Sequence, residues 1–212
     1  MGLNNTVERL TSYRAKKSLS RLWVKRSAVA IVIDQANTEQ ASVLLIKRAE
    51  NERDPWSGHM AFPGGRYEPV DKNGLATAKR EMHEEVGFDI DKLAFDSAVS
   101  GGNDGQCIAR LSDIKTSKRA TPSTMVVTPY IFSVLNKPAL MANHEVADTV
   151  WVPLSFFSAL QNRSIYELNY NERRIEMPCY RYEGNVIWGI TLSMIDEMLR
   201  ALGVNIPQWY RT

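Results

Sequence analysis

Glu81, Glu84 and Glu85 fall at positions i, i+3 and i+4 of a stretch with helical spacing. That spacing gathers the three carboxylates on one helix face within about 6 Å of one another. Carboxylates crowded in this way repel, which raises some of their pKa values and weakens the helix. A divalent cation that favours hard oxygen ligands, Mg²⁺ or Mn²⁺, removes the repulsion. Arg80, one residue earlier, can pair with a carboxylate and fix its rotamer. Upstream, the turn Pro63-Gly64-Gly65 lets backbone groups come close to a metal or a phosphate. Glutamate clusters also serve solubility on many exposed helices, so the flanking sequence has to decide between the two uses.

The elements that must position these groups follow from periodicity. Leu75, Ala78, Met82 and Val86 recur at spacings of three and four, which predicts a helix over 75–86 with one apolar stripe and Gly87 as its terminator. Residues 27–33 (SAVAIVI) read as a buried strand and 43–47 as a second, joined across the polar stretch 34–40. Residues 60–62 form a short extended piece that ends at the glycine turn. Further strands are expected at 95–99, 125–134 and 150–152, with a long polar connection, 100–123, between the first two. Pro153 fits the first position of a short helix running to Leu160. Residues 175–182 and 186–188 look like a hairpin turning at Glu183-Gly184-Asn185, followed by an amphipathic helix over 191–202. Interleaved strands and helices of this kind predict an α/β chain, with a mixed sheet and helices on both faces.

The 212 residues suit one domain with elaborations, and 44% hydrophobic with 24% charged residues supports a packed core. A net charge of +2 is too near neutral to point to nucleic acid or a membrane as partner. Cys107 and Cys179 lack any CxxC spacing, which argues against a disulfide framework or a thiolate zinc site and for a reducing compartment, the cytoplasm. No apolar run approaches a membrane span. Residues 1–26 carry seven cations against Glu8 alone. They read as a basic helical extension with Val7, Leu10, Tyr13 and Ala15 partly buried on a domain spanning 27–212, or alternatively as a mitochondrial presequence.

The stretch from Gly65 through Asp71 to Arg80-Glu81-Met82-His83-Glu84-Glu85-Val86-Gly87-Phe88 resembles the Nudix hydrolase box, G-x5-E-x7-R-E-U-x-E-E-x-G-U, where U is apolar. Asp71 stands where the box has its first Glu, and eight residues rather than seven separate it from Arg80; the extra one belongs to the loop before the helix. Upstream, Leu44-Leu45-Ile46-Lys47-Arg48-Ala49, then Arg53, Gly58 and Phe62-Pro63-Gly64-Gly65, are similar to the coenzyme A pyrophosphatase branch, which usually has Thr where Ile46 stands. The eight-residue spacer and the late Ile187-Trp188-Gly189-Ile190-Thr191 share that likeness. Together the resemblance covers residues 27–200.

The resemblance implies a Nudix-type α/β/α sandwich and metal-assisted attack of water on phosphorus. It makes Glu81, Glu84 and Glu85 the expected metal ligands, with the Gly65 carbonyl as a further one, and Arg80 the residue that orients them. Glu145, six residues before Trp151 on a loop entering a strand, is the first candidate for the general base, with Glu84 or Glu85 as the alternatives. Glu145 can equally be a solvated loop acid. Arg48 and Arg53, together with Gly64, are expected substrate contacts, since guanidinium matches phosphate geometry; the two arginines could instead pair with Glu50 or Glu52. Trp56, Phe62 and Tyr67 could stack on a base or simply pack. His59, His83 and His144 follow no zinc spacing. The expected reaction is cleavage of a nucleotide-type diphosphate. Coenzyme A or acyl-coenzyme A, giving 3′,5′-ADP and 4′-phosphopantetheine, is the leading substrate. ADP-ribose, dinucleotides and nucleoside triphosphates are the alternatives, as is a nucleotide-sensing module without activity. A homodimer is left open.

Overall fold

The β-branched run near the N-terminus becomes β1 (Lys25–Asp34), the middle strand of an eight-stranded mixed sheet. A computed structural model describes residues 4–34, 41–51, 57–99, 104–117, 124–170 and 173–207. The other strands of this sheet are β2 (Ser42–Arg48), β3 (Met60–Ala61), β4 (Gly64–Arg66), β5 (Gln106–Arg110), β6 (Ile114–Ser117), β7 (Thr124–Val134) and β8 (Val146–Pro153). The order is β3-β2-β1-β7-β5, with β4 also on β1, β6 on β7 and β8 on β2. β1 and β7 are parallel, in register from Lys25↔Met125 to Asp34↔Val134, and the remaining pairs are antiparallel. A second, three-stranded antiparallel sheet consists of β9 (Arg163–Tyr170), β10 (Arg173–Tyr182) and β11 (Asn185–Trp188). The helices are α1 (Asn4–Ser12), α2 (Gly74–Val86), α3 (Ile90–Val99), α4 (Leu154–Ser158) and α5 (Gly189–Ala201), with short 3₁₀ turns at Leu19–Leu22 and Leu160–Asn162.

Because strand side chains alternate, β1 feeds two cores. Ile31 and Ile33 join Val43, Leu45, Ile131 and Val152 under α5, which contributes Leu192, Ile195, Met198 and Leu199. Ala28, Ala30 and Val32 join Leu44, Ile46 and Phe132 under α2, which contributes Ala78, Met82 and Val86. Helices therefore cover both faces, as the mixed α/β sandwich required. Leu10 of α1 is fully buried in the first core, and the Tyr13 hydroxyl lies 2.8 Å from Glu197 Oε1.

Several expectations are corrected. Residues 95–99 lie in α3, not in a strand: the Asp89 side chain accepts the Lys92 amide at 3.0 Å, and the Lys79–Asp91 ion pair ties the first turn to α2. Leu, Lys and Ala in that segment are good helix formers, and the window read as a strand was only the helix's last half. The polar stretch 100–123 contains β5 and β6, both antiparallel to β7. Outer strands carry polar residues, which hid them from a search for apolar runs. β9 was unexpected for the same reason. The β10–β11 turn closes with two residues: Glu183 (φ 48°) and Gly184 (φ 77°) are both left-handed, and Asn185 already pairs with Tyr182. Pro153 ends β8 and caps α4 instead of opening it, and α5 starts two residues earlier than the 191–202 reading.

The small sheet is fastened to α5 by a buried ion pair. Arg163 Nη1 and Nη2 donate to Asp196 Oδ1 and Oδ2 at 2.8 and 2.7 Å, with the two side chains 6% and 2% exposed. Removing one partner of such a pair strands the other charge away from water. Asp196→Ala is expected to lower the unfolding free energy by about 3–5 kcal/mol, read from urea denaturation; a loss under about 1 kcal/mol would mean that Arg163 finds another partner or solvent.

Candidate active site

The acidic helix is aimed by its packing. Asn73 caps α2 by accepting the Ala76 amide at 3.0 Å, and Gly87, at φ 66°, ends it with its N–H on the His83 carbonyl. With Ala78, Met82 and Val86 pressed on the sheet, the helix has one rotational setting. His83 faces solvent.

β4 brings the glycine turn against that helix. Gly64 and Gly65 pair with Val29 and Ala28 of β1. A Cβ at Gly64 would lie 2.4 Å from the Ala28 carbonyl oxygen, so only glycine fits beside that backbone. A Cβ at Gly65 would lie 2.3–2.5 Å from the Glu81 carboxylate, so the missing side chain is the space Glu81 occupies. The Gly64 N–H donates to Glu85 Oε2 at 2.8 Å, and the Gly65 carbonyl accepts the Ser27 hydroxyl.

Arg80 serves several acids at once. Its Nε and Nη2 reach Asp71 Oδ1 and Oδ2 at 3.0 and 3.1 Å, Nη2 lies 3.0 Å from Glu81 Oε1, and Nη1 lies 2.9 Å from Glu84 Oε2. Nη2 also donates to the Arg66 carbonyl at 3.0 Å. Asp71, which departs from the box, is thus the residue that anchors Arg80. It is buried, and it also accepts the Thr77 hydroxyl and the Glu68 amide. The bonds from Arg80 hold the Asp71 carboxyl below its ordinary value, against the burial that would raise it.

For Glu81 and Glu85 burial outweighs the groups that favour the charged form. Burial raises the Glu81 carboxyl, with Arg80 opposing and Glu84 and Glu145 adding to the rise. Burial pushes Glu85 up to about 7; the Gly64 N–H and Arg48 oppose this, while Glu81 and Glu145 reinforce it. Glu145, half exposed, is delivered by a loop stitched to the end of α2. The Met141 amide donates to the Val86 carbonyl at 2.8 Å, Asn143 to Glu85 at 2.9 Å, and Ala49 to the Glu145 carbonyl at 2.8 Å. The Asn143 side chain accepts the Glu145 amide at 2.8 Å.

The structure therefore sets Glu81 beside Gly65 and Glu85 beside Gly64, both within electrostatic reach of Glu145, with Arg48 in reach of Glu85. Glu84, 52% exposed, leans on Arg80 instead. Among the described residues no three ligating side chains already enclose a point where an ion would sit. Arg53 and Trp56 lie outside the described residues. Phe62 is core, and Tyr67 carries the Arg26 guanidinium over its ring at 4.0 Å. Sequence reading missed Ser27, Thr77 and Asn143. Only Asn143, two residues before Glu145, carried a local signal, as an Asx turn.

Glu85 makes stability depend on pH in a defined direction. Its folded pKa, about 7, lies above the ordinary 4.5, so between those values the folded state holds more protons than the unfolded one. With divalent ions chelated, unfolding free energy should fall as pH rises from 4.5 to 7, at a slope approaching about 1.4 kcal/mol per pH unit from this one group. Glu85→Gln should flatten that part of the profile. Identical pH profiles for the two proteins would show that Glu85 is ionised at no cost in the fold.

Comparison with known proteins identifies the family. The family model described as NUDIX domain matches residues 24–168. An uncharacterized Nudix hydrolase NudL of Photorhabdus laumondii is 28% identical over 186 residues, covering 87% of this chain and 89% of its own length. An uncharacterized protein of Schizosaccharomyces pombe is 34% identical over 120 residues, 53% of this chain, which spans only 32% of that longer protein. The crystal structure of a MutT/nudix family protein from Enterococcus faecalis shares the fold, with a TM-score of 0.51 at 15% identity, covering 85% of this chain and 62% of that one. The family model spans two thirds of the chain and takes in both the helix bearing Arg80, Glu81, Glu84 and Glu85 and the two-glycine strand packed against it, which places this chain in the Nudix family.

Proposed function

We propose that the chain cleaves the diphosphate of coenzyme A or acyl-coenzyme A, giving 3′,5′-ADP and 4′-phosphopantetheine, with Mg²⁺ or Mn²⁺ at the helix carboxylates. The observation that carries the substrate is the convergence of two sequence patterns. Residues 44–49 are strand β2 and its exit, and the Phe62-Pro63-Gly64-Gly65 turn leads into β4; Arg48 at the end of β2 acts electrostatically on Glu85, which in turn accepts the Gly64 amide. Arg48 and the glycine turn, two parts of the pattern similar to the coenzyme A branch, thus both act on the acidic helix, which supports the reading.

The donor set fits a hard divalent cation. Glu81 and Glu85 are desolvated, both are raised further by Glu145 and Glu85 also by Glu81, and they lie against a glycine backbone with no side chain in the way. Glu81, Glu84 and Glu85 would hold the ion, with the Gly65 carbonyl adding a neutral oxygen. When bound, it supplies neutralisation of the charge that develops on the diphosphate oxygens. Arg80 keeps Glu81 and Glu84 in fixed rotamers, and the Gly64 amide does so for Glu85. Arg48 binds a phosphate oxygen. Glu145, on its stitched loop, takes the proton of the attacking water.

Two experiments test this. Hydrolysis of coenzyme A, its 3′-dephospho form, ADP-ribose and nucleoside triphosphates should be abolished by chelation and should be fastest for coenzyme A or an acyl derivative. If Arg48 holds the 3′-phosphate, the preference for it should be worth about 1.5–3 kcal/mol and should shrink in Arg48→Ala. ADP-ribose or a triphosphate outrunning both coenzyme A forms would refute the substrate and leave the carboxylate chemistry standing. Separately, Glu145→Gln should lower kcat by about 10²-fold or more with KM little changed, and should alter the pH–rate profile. An unaltered profile and kcat would return Glu145 to the role of a solvated loop acid.

A further inference from the structure

Eight large hydrophobic side chains stand exposed among the described residues, and three of them fall within five positions: Leu19, Leu22 and Trp23, at 77%, 70% and 78% exposure. Leu19 and Leu22 open and close the 3₁₀ turn, where side chains three apart eclipse, and Trp23 follows directly. The three therefore project as one cluster. Scattered exposed hydrophobics are ordinary, but a cluster of this size is not.

The cluster is fixed in place. Ser18 donates its N–H to Asp113 Oδ2 at 2.8 Å, Lys16 donates to the Ser112 hydroxyl at 2.9 Å, and Asp113 donates to the Lys16 carbonyl at 3.0 Å. Behind it, Trp23 and Val24 donate to the Ser20 carbonyl at 3.0 and 3.1 Å. The turn is thus bolted to the segment between β5 and β6 on one side and runs into β1 on the other.

Its surroundings are basic. Residues 14–26 contain Arg14, Lys16, Lys17, Arg21, Lys25 and Arg26 and no acid. Arg14, Lys16, Lys17 and Lys25 are exposed, whereas Arg26 lies over Tyr67. The acids that other elements bring to this segment are spent: Asp113 is buried among Arg110, Thr128 and the Ser18 amide, and Glu197 takes Tyr13 and the Ser112 amide. The near-neutral net charge of the whole chain averages this asymmetry away.

We propose that the Leu19, Leu22 and Trp23 turn is a wedge that docks the protein on anionic lipid surfaces, the three apolar side chains entering the interface and the flanking cations meeting the headgroups. Trp and Leu beside Lys and Arg make up the composition of interfacial membrane anchors. A second copy is a poor occupant, because a two-fold contact would lay the same cations against each other. A protein pocket is poorly matched to side chains that stand so far clear of any wall. The wedge is also near the candidate site along the chain. Trp23 is four residues before Ser27, whose hydroxyl holds the Gly65 carbonyl, so an extended chain spans at most about 14 Å between them.

The test is co-sedimentation of the full chain with phosphatidylcholine vesicles made with and without phosphatidylserine. Binding should require phosphatidylserine and weaken with salt. The triple variant Leu19→Ser, Leu22→Ser, Trp23→Ser and the double variant Lys17→Glu, Lys25→Glu should each lower vesicle affinity about tenfold or more, with circular dichroism and thermal unfolding unchanged. Absent binding, equal binding to neutral vesicles, or binding that neither variant reduces would overturn the proposal. So would a dimer in light scattering that the triple variant dissociates, since the cluster would then be a contact between copies.

Discussion

The contact between Arg80 and Asp71 is the constraint on which the acidic side of the molecule depends. Two unit charges 4 Å apart in a protein-like medium interact by about 4 kcal/mol, so three neighbouring carboxylates cannot share a helix face without a counter-charge. Arg80 supplies it, but unequally. Its bidentate contact with buried Asp71 is sheltered, whereas its contact with Glu84, half in water, is of the kind worth under about 1 kcal/mol. The guanidinium is therefore committed to Asp71 and only lent to Glu84. A cation bound at the helix, as proposed, would take Glu84 over without dismantling what orients Arg80.

Glycine performs two different services a single residue apart. Gly64 permits the strand to lie against β1 at a distance no side chain allows, and this sets its amide to meet Glu85. Gly65 leaves empty the volume that Glu81 fills. The first is contact between backbones and the second between backbone and carboxylate, which is why neighbouring positions respond to different partners. Close approach also explains why Glu85 is desolvated: the carboxylate sits between helix and strand with one amide in place of a hydration shell.

Much of this was legible in the residues. The apolar stripe of α2, its glycine terminator, the strands over 27–33 and 43–47 and the late hairpin rest on periodicity and turn chemistry, which act within a few positions. The carboxylates were legible because their spacing and their flanking glycines match a family box. What escaped notice depends on contacts across long stretches of chain. Asp71 looked like a misplaced box residue until the extra loop position was seen to bring it under Arg80. Ser27 is ordinary in a strand and acquires its role only through β4. The strands β5, β6 and β9 escaped because edge and outer strands carry polar residues on the face they show to water.

The pairing of β1 with β7 has a consequence for how the chain reaches this state. Lys25 meets Met125 and Asp34 meets Val134, so the central strand waits through about a hundred intervening residues for its longest partner. Until then its local company is β2, through Ile33↔Val43 and Asp34↔Ser42, together with β4. One edge of a strand with an unbroken apolar run from Ala28 to Ile33 stays open during synthesis, and α2, whose Met82 and Val86 need the finished face including Phe132, has nothing complete to dock on. Parallel pairing across such a distance makes for slow assembly and for exposure to edge-to-edge association on the way. The helix that carries the acids is complete in sequence by residue 86, yet its platform, begun by β1 and β2, is finished only when the strand ending at residue 134 has been made.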